Sequence, residues 1–377
     1  MQRILKILPV STVMLALVMA PLLAGASIAR AQESSPAASP ISCEVAPRAE
    51  TTIAPTVTPD AAGTATGELA QVKVGFVPVT VFAPVFVAKE LGYYAEEGLD
   101  VQLEPFPGGA DPVVLTASGE LDAGFVGLGP AFWNGAAQDL PIKIIAPGHA
   151  EGDPVATPLM ISKKSCEDGA ITSVADLKGK KVSVNARGAT EYWLNAALST
   201  GGLSIDDVEL EVLPFPDAVA ALESGAVDAA MVGEPLATRA EQEGIAVRLA
   251  SSFPVQDIQP TAIIGNEQWM NEHPEQAEAF VTGYMRASRL LAEGGLDDPA
   301  VQAIIEEYTG VPAELVATSV HPVFSADGFI AFEGLTKLQS FFRDRDQIEY
   351  DTDLDPYSLA DETFVMSAMA ELNPNSP

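Results

Sequence analysis

Between residues 72 and 134 the chain passes three times from an apolar run, through a turn of glycine or proline, into a helix-like stretch. The first run, Val72 to Val77, stops at Pro78-Val79-Thr80 and leads into a helical pattern over Ala83 to Leu91. The second, Leu99 to Leu103, ends in Phe106-Pro107-Gly108-Gly109 ahead of Asp111 to Ser118. The third, Ala123 to Val126, ends in Gly127-Leu128-Gly129-Pro130. Strands separated by helices pair through crossovers, so the pattern predicts an α/β fold with parallel sheets. In such sheets a ligand lies beyond the carboxyl ends of the strands. All three turns fall at that edge.

The same grammar returns after an apolar strand signal at Pro141 to Pro147 and a segment, Thr157 to Ser162, that reads as a crossing into a second lobe. Lys181 to Asn185 alternates as a strand, and Ala186-Arg187-Gly188-Ala189-Thr190 is a turn that opens a helix running to Ser199. Val208 to Leu213 and Ala229 to Val232 are further strand signals, the latter ending at Gly233-Glu234-Pro235. The strings SGELDAGFV (118–126) and SGAVDAAMV (224–232) echo each other: a helix end at Ser-Gly, a short turn, Asp, then a buried strand. The glycine suits a left-handed helix end. Thr261 to Ile264 then reads as a return to the first lobe, followed by helices over Glu267–Asn271, Glu275–Glu293, Pro299–Tyr308, Ala313–Ser319 and Phe329–Phe342. The expected division is lobe 1 over 71–155 and 258–345, lobe 2 over 156–257, and a C-terminal extension over 346–377 whose role the sequence does not reveal.

Residues 1–31 read as a signal peptide: Arg3 and Lys6 precede a mostly apolar stretch, and Ala29-Arg30-Ala31 fits a cleavage site. A retained membrane anchor is the competing reading. Residues 32–70, rich in Ser, Pro, Ala and Thr, read as a disordered tether. The formal net charge of −32 repels phosphate backbones and excludes nucleic acid as a partner. Export would permit a disulfide between the two cysteines, Cys43 and Cys166. Two distant cysteines and three histidines (His149, His273, His321) do not supply a metal site, and no cofactor is expected.

LGYYAEEGLDVQL, FPGG, SGELDAGFVGLGPA, DLKGKKVSVNARGATEYWL, LESGAVDAAMVGEPLATRAEQEG and QPTAIIGNEQWM, in this order over roughly residues 72–290, resemble the solute-binding proteins of ABC importers for nitrate, sulfonates and taurine. The superfamily also holds thiamine-pyrimidine and riboflavin binders. The resemblance implies a two-lobed periplasmic-binding-protein fold of type II with a two-segment hinge. It also implies a monomer, exported to the periplasm or the outer face of the cell membrane, that closes on a small solute and docks on a membrane permease.

The inferred cleft receives Val79, Thr80 and Phe82, then Gly108 and Gly109, then Gly127, Leu128 and Gly129 from the first lobe. From the second it receives Arg187, Gly188, Ala189, Thr190, Glu191, Tyr192 and Glu234. A helix that starts at Gly188 offers free backbone N–H groups and the positive end of its dipole to an anionic head group. Tyr192 is the expected aromatic wall. Glu234 is a departure, because many relatives carry an aromatic residue before the acid and proline of this turn. A carboxylate in the cleft disfavours a simple anion unless it pairs with Arg187, and it would suit a zwitterion or an amino-bearing pyrimidine. A desulfinase-like enzyme on the same scaffold would need a cysteine in the cleft, and neither cysteine lies at a cleft turn. The expectation is a binding protein without catalytic residues.

Overall fold

The computed structural model describes residues 42–44 and 68–373. The expected signal peptide, nearly all of the expected tether and the last four residues lie outside the described residues. From its first strand the chain forms β1 (Ala70–Phe76), α1 (Ala83–Glu90), α2 (Tyr93–Glu96), β2 (Leu99–Pro105), α3 (Ala110–Ser118), β3 (Ala123–Gly127), α4 (Pro130–Ala137) and β4 (Ile142–Pro147). A two-residue strand, β5 (His149–Ala150), opens a crossing to β6 (Leu159–Ser162) and α5 (Lys163–Glu167). Then come β7 (Lys181–Val184), α6 (Ala189–Ser199), β8 (Glu209–Val212), α7 (Phe215–Ser224), β9 (Ala229–Met231), α8 (Leu236–Gln242) and β10 (Ala246–Ala250). The chain returns as β11 (Thr261–Asn266) and continues through α9 (Glu267–Glu272), α10 (Pro274–Ala292), α11 (Pro299–Thr309), α12 (Ala313–Thr318), β12 (Val323–Phe324), α13 (Phe332–Asp344) and α14 (Thr363–Leu372).

The strands form two five-stranded sheets, ordered β2-β1-β3-β11-β4 and β10-β6-β9-β7-β8. β1 runs parallel to β2 and β3, and β7 parallel to β8 and β9, as alternating strands and helices require. The sheets are mixed, however. Two strands are the exceptions, β11, antiparallel between β3 and β4, and β6, antiparallel between β9 and β10. These strands enter each sheet from the crossings rather than from a crossover helix, and that sets their direction.

The internal echo has a structural meaning. Gly119 and Gly225 end α3 and α7 in the left-handed region, at φ of 78° and 75°. Just after each, an aspartate reaches the edge of its lobe's leading strand. Asp122 accepts the Lys73 N–H of β1 at 2.7 Å, and Asp228 accepts the Lys181 N–H of β7 at 2.9 Å. The backbones close the same circuit in reverse, Asp122 N–H to Lys73 O and Asp228 N–H to Lys181 O. The repeated Ser-Gly-x-x-Asp therefore fixes the register of β3 on β1 and of β9 on β7.

The two crossings are fastened to each other. The Gly148 N–H donates to Thr261 O at 3.0 Å. The His149 N–H donates to Thr261 Oγ1 at 2.9 Å, and His149 Nδ1 lies 2.8 Å from the same hydroxyl. A Cβ on Gly148 would lie 2.2 Å from Thr261 Oγ1, so only glycine fits there. Glu151, 2 % exposed, accepts the Ala156 N–H and the Trp193 indole N–H of α6. The outgoing crossing is thus tied to the return strand and to α6 of the second lobe.

α13 falls within the range expected to belong to the first lobe, yet it packs against α6 and shares that helix's apolar cluster. After it the chain runs back to the first sheet, where Ala360 bridges Ile144 and α14 packs on α10. Cys43 and Cys166 are joined in a disulfide, their Cα atoms 5.8 Å apart, which anchors residues 42–44 to α5 of the second lobe.

Burial alone holds the His149 imidazole down from 6.5 to about 3, so it is neutral in the folded state. The unfolded chain takes up that proton below about pH 6.5. Stability from this group is therefore complete above pH 6.5 and is lost as pH falls toward 3. Between pH 7.5 and 4.5 the wild type is expected to lose roughly 2–3 kcal/mol more unfolding free energy than a His149→Gln variant, read from urea denaturation at both pH values. Equal losses in the two proteins would remove the imidazole from the account.

Candidate functional site

Three helices begin at glycines that lie close together, and none carries a side-chain cap. α3 starts after Gly109, α4 after Gly129 and α6 after Gly188. A Cβ on Gly109 would lie 2.9 Å from Gly127 N, so the Pro-Gly-Gly turn rests directly on the end of β3. A Cβ on Gly188 would lie 3.6 Å from Pro130 Cδ, the first residue of α4. The turn of the second lobe therefore faces the turn of the first at van der Waals distance. Helix starts leave backbone N–H groups without intrahelical partners, and their dipoles end positive. Here the N–H groups that a Ser, Thr or Asp cap would consume are left to other acceptors.

The backbone of Gly188 is extended with a positive φ of 135°, a conformation that side-chain-bearing residues rarely adopt. Gly108, Gly127 and Gly129 have no atom within 4 Å of an added Cβ, so open space adjoins each. Leu128 between them is buried and structural: its N–H donates to Pro260 O at 2.7 Å, and its carbonyl accepts the Trp133 indole at 3.1 Å. Val79, at the tip of the first turn, is exposed, and Thr80 is buried beneath it. Ala189 is the first residue of α6. Thr190 donates its hydroxyl to Asn185 Oδ1, a residue at the end of β7 that local pattern did not single out.

Several of the expected residues have their side chains engaged by partners within the protein. Phe82 is 6 % exposed and packs edge-on against Phe125, with ring centroids 4.6 Å apart. Tyr192 turns to α13, edge-on to Phe341 at 5.2 Å, and burial raises its hydroxyl pKa. Glu191 is fully buried and accepts from Arg187 Nε at 2.5 Å, Arg345 Nε at 2.9 Å and Gln347 Nε2 at 2.7 Å. Arg187 therefore pairs with Glu191, while its side chain stays half exposed.

Glu234 is held by a partner other than Arg187. Its carboxylate, 5 % exposed, meets Arg248 of β10 at 2.7 Å. It also accepts the Thr238 N–H and hydroxyl, each at 3.0 Å, and the Val320 N–H at 3.1 Å. The Arg248 guanidinium reaches Glu241 as well, at 2.9 Å, and these two carboxylates raise its pKa against the opposing pull of burial. Sequence reasoning missed Arg248. The signal was present in Ala-Val-Arg-Leu-Ala, an arginine amid a buried apolar strand, which demands a partner. It also missed Phe215, whose ring lies where a Cβ on Gly233 would come within 2.8 Å. Among the described residues no group of His, Cys, Asp or Glu is placed to hold a metal ion.

Comparison with known proteins follows this geometry. Residues 65–305 match the model of the NMT1-like family. The chain is 27% identical over 283 residues to the nitrate/nitrite binding protein NrtA of Nostoc sp., covering 70% of this chain and 60% of that protein. It is 24% identical over 251 residues to the bicarbonate-binding protein CmpA of Synechococcus elongatus, covering 61% of this chain and 56% of that protein. The chain thus spans less than two thirds of these curated relatives. The alkanesulfonate-binding protein SsuA from Xanthomonas axonopodis pv. citri, solved bound to MOPS, superposes with a TM-score of 0.61 at 18% identity. That match covers 79% of this chain and all of SsuA. The fold is the two-lobed α/β fold of these binding proteins.

Arg248→Met would leave the Glu234 carboxylate buried without its cation. An expected loss of about 3–5 kcal/mol in urea denaturation follows. The double variant Arg248→Met/Glu234→Gln is expected to recover much of it, because the residual cost is the unpaired charge. A double variant as unstable as the single one would mean that packing, and not charge pairing, sets the value of this arginine.

Proposed function

The chain belongs to the NMT1-like family, and on that premise we propose that it is the extracytoplasmic solute-binding component of an ABC importer. Its solute is a small anion of the nitrate, bicarbonate or sulfonate class, in keeping with the names of its relatives. The observation that carries this reading is the meeting of α3, α4 and α6 at glycine starts without side-chain caps. Uncapped backbone N–H groups at helix starts suit an anion that offers several acceptor oxygens. The solute is captured between lobes that close about the crossings near residues 148–158 and 250–261. The closed form then docks on a membrane permease, and no covalent chemistry takes place.

The pairing of the local carboxylates supports the anion over the heterocycle. Glu234 would be the partner for the amino group of a pyrimidine, but it is already occupied by Arg248, Thr238 and Val320. Glu191 is likewise neutralised by two arginines. A desulfinase-like reaction would need a thiolate, and the chain's two cysteines are bonded to each other. The bridge also fits an oxidising compartment outside the cytoplasm.

Gly129→Asp separates fold from function. Gly129 has an ordinary extended backbone, at φ −85° and ψ −172°, and an open Cβ position. Aspartate there becomes an N-cap for α4 and is expected to stabilise the fold by a few tenths of a kcal/mol. Its carboxylate would also take the donors meant for the solute. Thermal unfolding should be followed against nitrate, bicarbonate, taurine, alkanesulfonates, aminopyrimidines, thiamine and riboflavin. The true solute at 100 times its dissociation constant stabilises the wild type by about 2.7 kcal/mol, and in Gly129→Asp this gain is expected to vanish. Stabilisation by a heterocycle alone, undiminished in the variant, would overturn the anion reading.

A further inference from the structure

Residues 345–349 lie between α4 of the first lobe and α6 of the second, and they bond to both. On the first lobe, Asn134 of α4 donates its amide to Gln347 O at 3.3 Å and accepts the Glu349 N–H on Oδ1 at 2.8 Å. On the second, Gln347 Nε2 donates to Glu191 Oε2 at 2.7 Å and Arg345 Nε to Glu191 Oε1 at 2.9 Å. Arg345 also reaches Asp206, at 2.6 Å. Gln347 thus bonds to α4 through its backbone and to α6 through its side chain. Beyond it the chain is fastened to the first sheet, with Lys143 Nζ donating to Ser358 O at 2.7 Å and Asp361 N–H to Ile144 O at 2.8 Å.

The two helices joined in this way are the ones whose starts face each other at Gly188 and Pro130. Glu191 is the third residue of α6, one turn from Gly188, and Asn134 is the fifth of α4. None of these strap contacts uses the uncapped N–H groups of the candidate site. They span the lobes alongside it, and they form only while the helices are close. Glu191 is fully buried, which ties the strap to a group that desolvation makes costly to release from its partners.

We propose that residues 345–349 are a latch between the lobes, with Asn134 and Glu191 as its two fastening points and Gln347 as the residue that joins them. The latch holds the lobes together without solute and so sets the share of the chain in the binding-competent form. Apparent affinity scales with that share. A fastened latch tightens binding and slows release, and a weakened one does the reverse. The proposal takes from the preceding reading only that the lobes open and close.

The test needs no ligand. Spin labels on Ser118→Cys of the first lobe and Ser224→Cys of the second, both exposed, report the distance between lobes by pulsed electron resonance, with the Cys43–Cys166 bridge retained. The ligand-free wild type is expected to give one short distance. Asn134→Ala removes both strap bonds on α4 and is expected to raise the ratio of open to closed forms about tenfold or more. Asn134→Asp keeps the acceptor for Glu349 and should fall between the two. Gln347→Ala cuts the bond to Glu191 from the other side, and it decides the matter if the α4 variants do not fold. Unchanged distances in the folded variants, or a wild type already at the long distance, would overturn the latch. A failed ligand panel would leave this measurement untouched.

Discussion

Gly148 and Thr261 meet where the chain leaves the first sheet and where it comes back, with no room for a side chain between them. Gly148 directly follows β4 and Thr261 opens β11, so the contact fixes where both crossings leave the first sheet. Two sheets built from separate stretches could drift apart at their connections. Here the outgoing strand, the returning strand and a neutral imidazole share one hydroxyl. Crossings whose roots are held together in this way suit the proposed turning of one lobe against the other.

The chain carries 52 acids against 20 bases and yet, on the reading favoured here, handles an anion. The conflict resolves by distance. The exposed carboxylates act through water and salt, which screen them beyond about 8 Å. At the facing turns Glu191 and Glu234 are buried and held by Arg187, Arg345 and Arg248, while Asp111 in the first turn of α3 stays exposed. On the proposed reading, backbone N–H groups at the helix starts act on a solute at contact range, where salt does not screen them. Arg248 and Arg345 serve as counter-ions to buried carboxylates. An acidic exterior that keeps the protein soluble is therefore compatible with a polar, locally positive cleft.

Much of this was legible in the sequence, for identifiable reasons. The strand-turn-helix repeats gave β1 to β3 and β7 to β9, because period and punctuation are local properties. The Ser-Gly-x-x-Asp echo pointed to a repeated design, and the hydrogen bonds of Asp122 and Asp228 are its cause. The glycine turns located the helix starts. What the sequence withheld was tertiary. The direction of β11 is set by where the chain re-enters the sheet. Tyr192 was read as a cleft wall because tyrosine favours wet edges, but Phe341 from a distant helix claims it. Glu234 looked like an unpaired charge because its partner, Arg248, lies in a strand fourteen residues on and faces it only once β10 joins the sheet.

The closing stretch of the chain, which carried no readable motif, turns out to bear on the lobes' geometry. α13 lies on the second lobe and α14 on the first, so the backbone links the lobes again beyond the two expected crossings. The disulfide adds a covalent route of its own. Cys43 is fixed to α5 of the second lobe, while β1 begins the first lobe at Ala70. The strap at 345–349 differs in kind, because its hold comes from hydrogen bonds that form only at short range. Like the bond from the Val320 N–H to Glu234, it is a connection whose strength side-chain chemistry can tune without altering the path of the chain.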